Sequence, residues 1–340
     1  MDMRRIQSVD TLRLFAVSAV ISIHTNPFHS TDWQQGDPFS LAVFADQLAR
    51  FAVPFFFVMS GYFWGAKISS GEEVFQISMR MAKRIALIFL AWALIYLAPY
   101  NFQRIFDYRR ADPLKLSWAN LNALAHDPIR LISEGTKSHL WFLLALIVCI
   151  GISACFVAGK RVYALLGFSA FLYVAGLVCK AYAPTPLGMT IGFNTRNGPF
   201  FGLLFFSSGY VMSTMKPSPK WLFRGGAMVA VGYLLHFCEV YFLRAYFHTT
   251  LQQDFVFGTY LIGCGFGLMA LSNPAVFRIG ATSQIGRLAL GVYAIHYIFV
   301  DILDPIKLTN PMGCYIAVLL LSLTSVIYMA RVQKLRYLVT

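Results

Sequence analysis

His24 ends a stretch, Leu14-Phe-Ala-Val-Ser-Ala-Val-Ile-Ser-Ile23, that is almost wholly apolar and is preceded by Asp10 and Arg13. On a helix, the eleven steps from Arg13 to His24 return the side chain to within about 20° of its first direction, about 16 Å farther along the axis. The two side chains share one face. Histidine is the side chain best suited to act as a base near neutral pH, and ionisable groups inside a membrane are costly and usually face a bundle interior or wet cavity, so the stripe is a candidate functional site. Asp10 lies about 21 Å from His24 along the same axis and cannot orient it. It is placed to pair with Arg13, three residues on.

Further candidates lie far away in sequence. Arg50-Phe-Ala-Val-Pro-Phe-Phe-Phe-Val-Met-Ser-Gly-Tyr62 resembles Arg196-Asn-Gly-Pro-Phe-Phe-Gly-Leu-Leu-Phe-Phe-Ser-Ser-Gly-Tyr210, each with an arginine, a proline, phenylalanines and a terminal Ser-Gly-Tyr. The small residues read as a close-packing surface between two helices. The arginines then point into a shared cavity at about the depth of His24, because a lipid-facing arginine is costly. His139 starts an apolar run and His296 sits inside another. Their plainest roles are an interfacial anchor and an interhelical hydrogen bond, with acceptor orientation or oxyanion stabilisation as the alternative. Ser60 lacks the strand-to-helix turn of a nucleophile elbow, and His24, His29 and His126 have no two-ligand helical spacing, so no metal site is expected. The six cysteines all fall in apolar segments without ligand spacing and read as small core residues.

The elements that must hold these residues are set by composition. With 58% hydrophobic residues and 13% charged, the chain is an integral membrane protein by composition. Runs of spanning length recur at about 9–26, 41–64, 82–100, 140–158, 161–180, 197–215, 222–243, 255–271, 287–304 and 312–331. The expected fold is an all-α polytopic bundle of about ten transmembrane helices, forming one integral domain over 1–340. Arg4 and Arg5 precede the first run and no small-residue cleavage site follows it, the pattern of a retained anchor.

An even helix count puts both termini on one side. Arg4, Arg5, Lys67, Arg80, Lys83, Arg84, Lys160, Arg161, Lys216, Lys220, Arg224, Arg278, Arg287, Arg331, Lys334 and Arg336 make that side cytoplasmic. The loop at about 101–138 runs against this assignment, with Arg104, Arg109, Arg110, Lys115, Arg130 and Lys137 on the outer face. The net charge of +13 mostly reflects flanking groups; no basic run with interleaved aromatics indicates nucleic-acid binding.

Asp10-Thr-Leu-Arg13 with His24, Val53-Pro-Phe-Phe-Phe-Val-Met-Ser-Gly-Tyr62, His139-Leu-Trp-Phe-Leu143 and Gly291-Val-Tyr-Ala-Ile-His296, in that order, resemble the acyltransferase 3 family of integral membrane acyltransferases. The resemblance implies about ten helices and transfer of an acyl group, commonly acetyl from acetyl-CoA, to a hydroxyl of a surface glycan or lipid-linked glycan. It makes His24 the catalytic base and assigns acyl-CoA phosphates to Arg80, Lys83 and Arg84, although the proline that often follows the basic pair is here replaced by Ile85. Arg13, Arg50, Arg196, His139 and His296 become supporting residues, Arg13, Arg50, Arg196 and His296 lining one pore for the donor.

The implied partners are the bilayer, acyl-CoA as donor substrate and a glycan acceptor, with no permanently bound cofactor; the implied site is the bacterial inner membrane. A transporter or flippase of a glycolipid or small anion is the alternative, and an inactive scaffold a third reading. A proton-coupled carrier usually holds acids within its helices, and this chain has few apart from Glu239, Asp301 and Asp304.

Overall fold

The computed structural model describes residues 6–29, 40–98, 118, 121–122, 125–273, 277 and 280–339. Arg4, Arg5, Arg104, Arg109, Arg110, Lys115 and Arg278 lie outside the described residues. Among those described the chain is all-helical and has no strand. In order, the helices are α1 (Gln7–Thr25), α2 (Leu41–Ala49), α3 (Ala52–Ser69), α4 (Val74–Ile95), α5 (Pro128–Glu134), α6 (Trp141–Ala158), α7 (Val162–Val178), α8 (Pro199–Thr214), α9 (Lys220–Phe247), α10 (Phe257–Ser272), α11 (Gly280–Gly286), α12 (Ala289–Ile302), α13 (Asp304–Thr309), α14 (Pro311–Arg331) and α15 (Gln333–Val339). A 3-10 turn, Ser138–Leu140, leads into α6.

Each expected apolar run contains a helix, but length and composition qualify four segments as spans among the described residues. These are Leu41–Ser69, Ser138–Ala158, Lys220–Phe247 and Pro311–Arg331, with shorter apolar helices at Val162–Val178, Phe257–Ser272 and Ala289–Ile302. The chain is an integral membrane helix bundle.

The run expected at 41–64 is broken. Its two parts, α2 and α3, meet at Arg50 and Phe51 because Pro54 has no N–H for the Arg50 carbonyl four residues earlier. The backbone tightens there, with Arg50 N–H donating to the Gln47 carbonyl at 3.3 Å. The break leaves Arg50 beside the cavity at His24. Its counterpart, α8, starts at Pro199 after Gly198, whose φ of 82° favours glycine.

The related helices α3 and α8 pack along their length. A Cβ on Gly61 would collide with the Phe206 carbonyl, and one on Gly209 with the Val58 carbonyl. The Ser-Gly signatures therefore mark backbone-to-backbone contact, as small residues do between membrane helices. At the centre, α1 packs against α3, α11, α12 and α14. Contact with α11 is equally close, since a Cβ on Gly286 would meet the Asp10 carbonyl.

Candidate active site

His24 lies in the last turn of α1, which stops at Asn26 in the left-handed region, its N–H donating to the Ser22 carbonyl at 2.8 Å. His24 lines a cavity of about 60 Å³ together with Arg50, His139, Trp141, Arg196, Asp254 and Tyr293. His296 is fully buried behind it, its ring centroid 5.3 Å from that of His24 and 5.1 Å from that of His139. Tyr297 completes the cluster, 4.8 Å from His24 and stacked on His139 at 4.8 Å. Three histidines from segments more than a hundred residues apart thus converge at one end of the bundle.

Backbone carbonyls fix two of their tautomers. His139 Nε2–H donates to the Ala294 carbonyl at 3.3 Å, and His296 Nδ1–H donates to the Tyr293 carbonyl at 2.6 Å. A carbonyl only accepts, so each of those nitrogens carries the proton. His139 Nδ1 and His296 Nε2 are left as buried lone pairs with no partner. Among the described residues His24 makes no side-chain hydrogen bond, which leaves its ring nitrogens available to a substrate. No group of three His, Cys, Asp or Glu among the described residues is arranged to hold a metal ion.

Around this cavity the cations are matched by carboxylates. Arg50 pairs with Asp46 and with Asp254, each at 2.8 Å. Asp254, between α9 and α10, also receives Lys180 at 2.9 Å and Arg196 at 3.4 Å. Arg196 reaches Glu134 at 3.7 Å and lies over the Trp141 ring, 5.0 Å from its centroid. Burial pushes the Asp254 carboxyl toward its neutral form, but Arg196, Arg50 and Lys180 override that and hold it well below the usual carboxylate range. The two arginines of the sequence repeat therefore meet on a single carboxylate. Two cations that opposed the topological assignment are neutralised nearby: Arg130 pairs with Glu134 at 3.5 Å and Lys137 with Asp301 at 2.5 Å.

A second cavity, of about 320 Å³, lies toward the other end of α1. Arg13, Lys67, Arg84 and Arg287 line it, and its walls include Phe56, Met59, Phe142 and Tyr293. Arg13 bonds Asp10 at 3.2 Å and covers the Phe63 ring at 5.0 Å. Among the described residues no carboxylate pairs with Lys67, Arg84 or Arg287.

The structure redistributes the expected site. His24, Arg50, Arg196 and His139 do share a cavity, with His296 against their rings. Arg13 lines the other cavity, so the single pore expected from Arg13, Arg50, Arg196 and His296 is two compartments, and His296 lines neither. Of the trio Arg80, Lys83 and Arg84, Arg84 alone lines the larger cavity. Arg80 is 64% exposed and pairs with Glu72 at 2.8 Å, and Lys83 is exposed on the same helix. Successive helical residues diverge by about 100°, so a basic run cannot aim all its members at one cavity. Asp254, Asp46, Glu134, Lys180, Lys67 and Arg287 carry the electrostatics of the two cavities and had no site signal in the sequence.

A family model described as an acyltransferase domain matches residues 6–331. The chain belongs to the acyltransferase 3 family. Curated relatives include two proteins named amino-acid racemase from Enterococcus faecalis, each 28% identical, over 218 and 179 residues. Those alignments cover 60% and 51% of this chain but 28% and 22% of the relatives. A serine/alanine racemase from Enterococcus gallinarum is 28% identical over 262 residues, 71% of this chain and 33% of that protein. The chain thus spans a third or less of the length of these relatives. No solved structure matches it significantly.

Proposed function

We propose that this acyltransferase 3 family member is a membrane O-acyltransferase that moves an acyl group, acetyl in the first instance, from acyl-CoA to a hydroxyl of a cell-surface or lipid-linked glycan. The observation that carries the proposal is the pairing of two adjoining cavities. One has a basic lining of the kind that holds phosphates, and the other has a histidine with uncommitted nitrogens.

In this reading Lys67, Arg84 and Arg287 hold the CoA phosphates, and the pantetheine arm runs between Phe56, Met59 and Phe142 toward Tyr293. His24 takes the proton of the acceptor hydroxyl as its oxygen attacks the thioester carbonyl carbon. The C–O bond forms, the C–S bond breaks, and the sulfur leaves with the proton returned by the His24 imidazolium, giving ester and free CoA. Arg50 and Arg196 are positioning residues whose charges, spread over Asp46, Asp254 and Glu134, frame the acceptor side. His296, with Nδ1–H tied to the Tyr293 carbonyl, keeps an unpartnered Nε2 on a ring 5.3 Å from that of His24, and in this reading it supports the His24 ring. Both termini cytosolic in the inner membrane would place the basic lining where acyl-CoA is made. The whole chain, 1–340, is read as one such domain.

Purified protein in nanodiscs, given labelled acetyl-CoA and a panel of free and octyl-linked hexoses, should release CoA thiol with label on the sugar. His24→Ala should fold and release CoA at about a hundredth of the wild-type rate or less. Transfer undiminished in that variant removes His24 from the mechanism, and glycolipid counterflow in proteoliposomes without CoA release would support the carrier reading instead.

A further inference from the structure

Tyr293 alone among the described residues lines both cavities. It stands in the wall between the space of about 320 Å³ with the basic lining and the space of about 60 Å³ at His24. The side chain is almost fully buried, and the residue is tied to its neighbours through both side chain and backbone. Its hydroxyl donates to the His139 carbonyl, its ring meets that of Phe142 edge-on at 5.4 Å, and its own carbonyl takes the His296 Nδ1–H at 2.6 Å. The ring is thus the one side chain that both cavities share among the described residues.

We infer that Tyr293 is the acyl-length determinant of the site, a ring that admits a two- or three-carbon acyl group beside His24 and rejects longer chains. The inference rests on the acyltransferase reading above and deepens it. Two features fix the direction of selectivity. The compartment at His24 has room for a group of only a few heavy atoms. Three of its other walls, Arg50, Arg196 and Asp254, belong to an ion-paired network that does not yield without separating charges. The Tyr293 ring, by contrast, is held by one hydroxyl hydrogen bond and by ring contacts, so turning it separates no charge, and it is the wall that faces the donor cavity as well. Tyr293 is a specificity residue in this scheme; the bonds made and broken in transfer remain those at His24.

The test needs no acceptor. Affinities of the full-length protein in nanodiscs for acetyl-CoA, butyryl-CoA and hexanoyl-CoA are measured by calorimetric titration for wild type, Tyr293→Ala and Tyr293→Phe. Wild type should bind acetyl-CoA at least tenfold more tightly than hexanoyl-CoA, since a misfit of one methylene in an apolar pocket is worth roughly tenfold or more. Tyr293→Ala should erase or reverse that preference, whereas Tyr293→Phe, which keeps the ring, should retain it. A folded Tyr293→Ala protein with the wild-type acetyl-to-hexanoyl ratio overturns the inference. Should that variant fail to fold, Tyr293→Leu is judged by the same ratio. Wild type that binds no CoA thioester defeats the acyltransferase reading itself and the inference with it; wild type that binds all three equally defeats only the role of Tyr293.

Discussion

Around His24 the cations Arg50, Lys180 and Arg196 are matched by Asp46, Glu134 and Asp254, whereas at the other end of α1 Arg13 is matched by Asp10 but the cations Lys67, Arg84 and Arg287 have no carboxylate partner among the described residues. One end has its charge settled inside the protein. The other leaves three lining cations without a carboxylate among the described residues. The difference separates two uses of basic residues in one bundle: near His24 they fix geometry in a buried place where an unpaired charge would be expensive, and at the wider cavity, in the proposed reading, they hold the donor's phosphates. A donor that brings several negative charges suits the second end, and a neutral hydroxyl acceptor suits the first.

The comparison can be broken most severely at His24. Replacing it with alanine should lower kcat by about 10²- to 10⁴-fold, the range of a lost general base, with CoA affinity unchanged in a titration. Next comes Asp254→Asn, which strands Arg50, Arg196 and Lys180 around a neutral amide. Thermal unfolding should register a loss of roughly 3–5 kcal/mol, as for one partner removed from a buried ion pair. Smaller effects are expected at the wider cavity, where Lys67→Gln, Arg84→Gln or Arg287→Gln should each raise KM for acyl-CoA about fivefold or more, with kcat little changed and a weaker dependence on salt. Arg80→Gln and Lys83→Gln, on exposed positions that line neither cavity, should change KM by less than about twofold.

The smallest effect is one of pH. Because the folded Asp254 carboxyl is held below its ordinary range, its contribution to stability is complete above the unfolded value of about 3.9 and is lost only as pH falls through the lower folded value. Acidification from neutrality to about pH 5 should therefore leave the Asp254-dependent part of the melting temperature unchanged, a difference between wild type and Asp254→Asn that scanning calorimetry reads directly.

Much of the bundle is legible in the sequence, because apolar runs and Ser-Gly pairs report burial and close approach locally. Gly61 against Phe206 and Gly209 against Val58 are the contacts that the repeated Ser-Gly-Tyr segments imply. The meeting of Arg50 with Arg196 follows from the same repeat, but the carboxylate they meet on does not. Asp254 sits in a short connection with no periodicity, and its importance arises only when α3, α7 and α8 bring three cations to it. Lys67 and Arg287 looked like ordinary flanking charges, since a cation at a helix end that lines a cavity has the same sequence signature as one that does not. The break at Arg50 was written in Pro54, although the unbroken hydropathy of 41–64 concealed it. Arg13 and His24 share a face as the helical period requires, yet a shared face does not mean a shared cavity: the wall at Tyr293 comes from another helix.

The division between a donor-holding end and a reacting end is tested most directly by measuring CoA affinity and acetyl transfer on the same three preparations: wild type, His24→Ala and the triple variant Lys67→Gln, Arg84→Gln, Arg287→Gln. The account predicts that His24→Ala binds CoA as wild type does and transfers at about a hundredth of the wild-type rate or less, while the triple variant loses CoA affinity by at least tenfold and recovers transfer as acetyl-CoA is raised. Wild-type CoA affinity in the triple variant, or loss of CoA binding in His24→Ala, would contradict it.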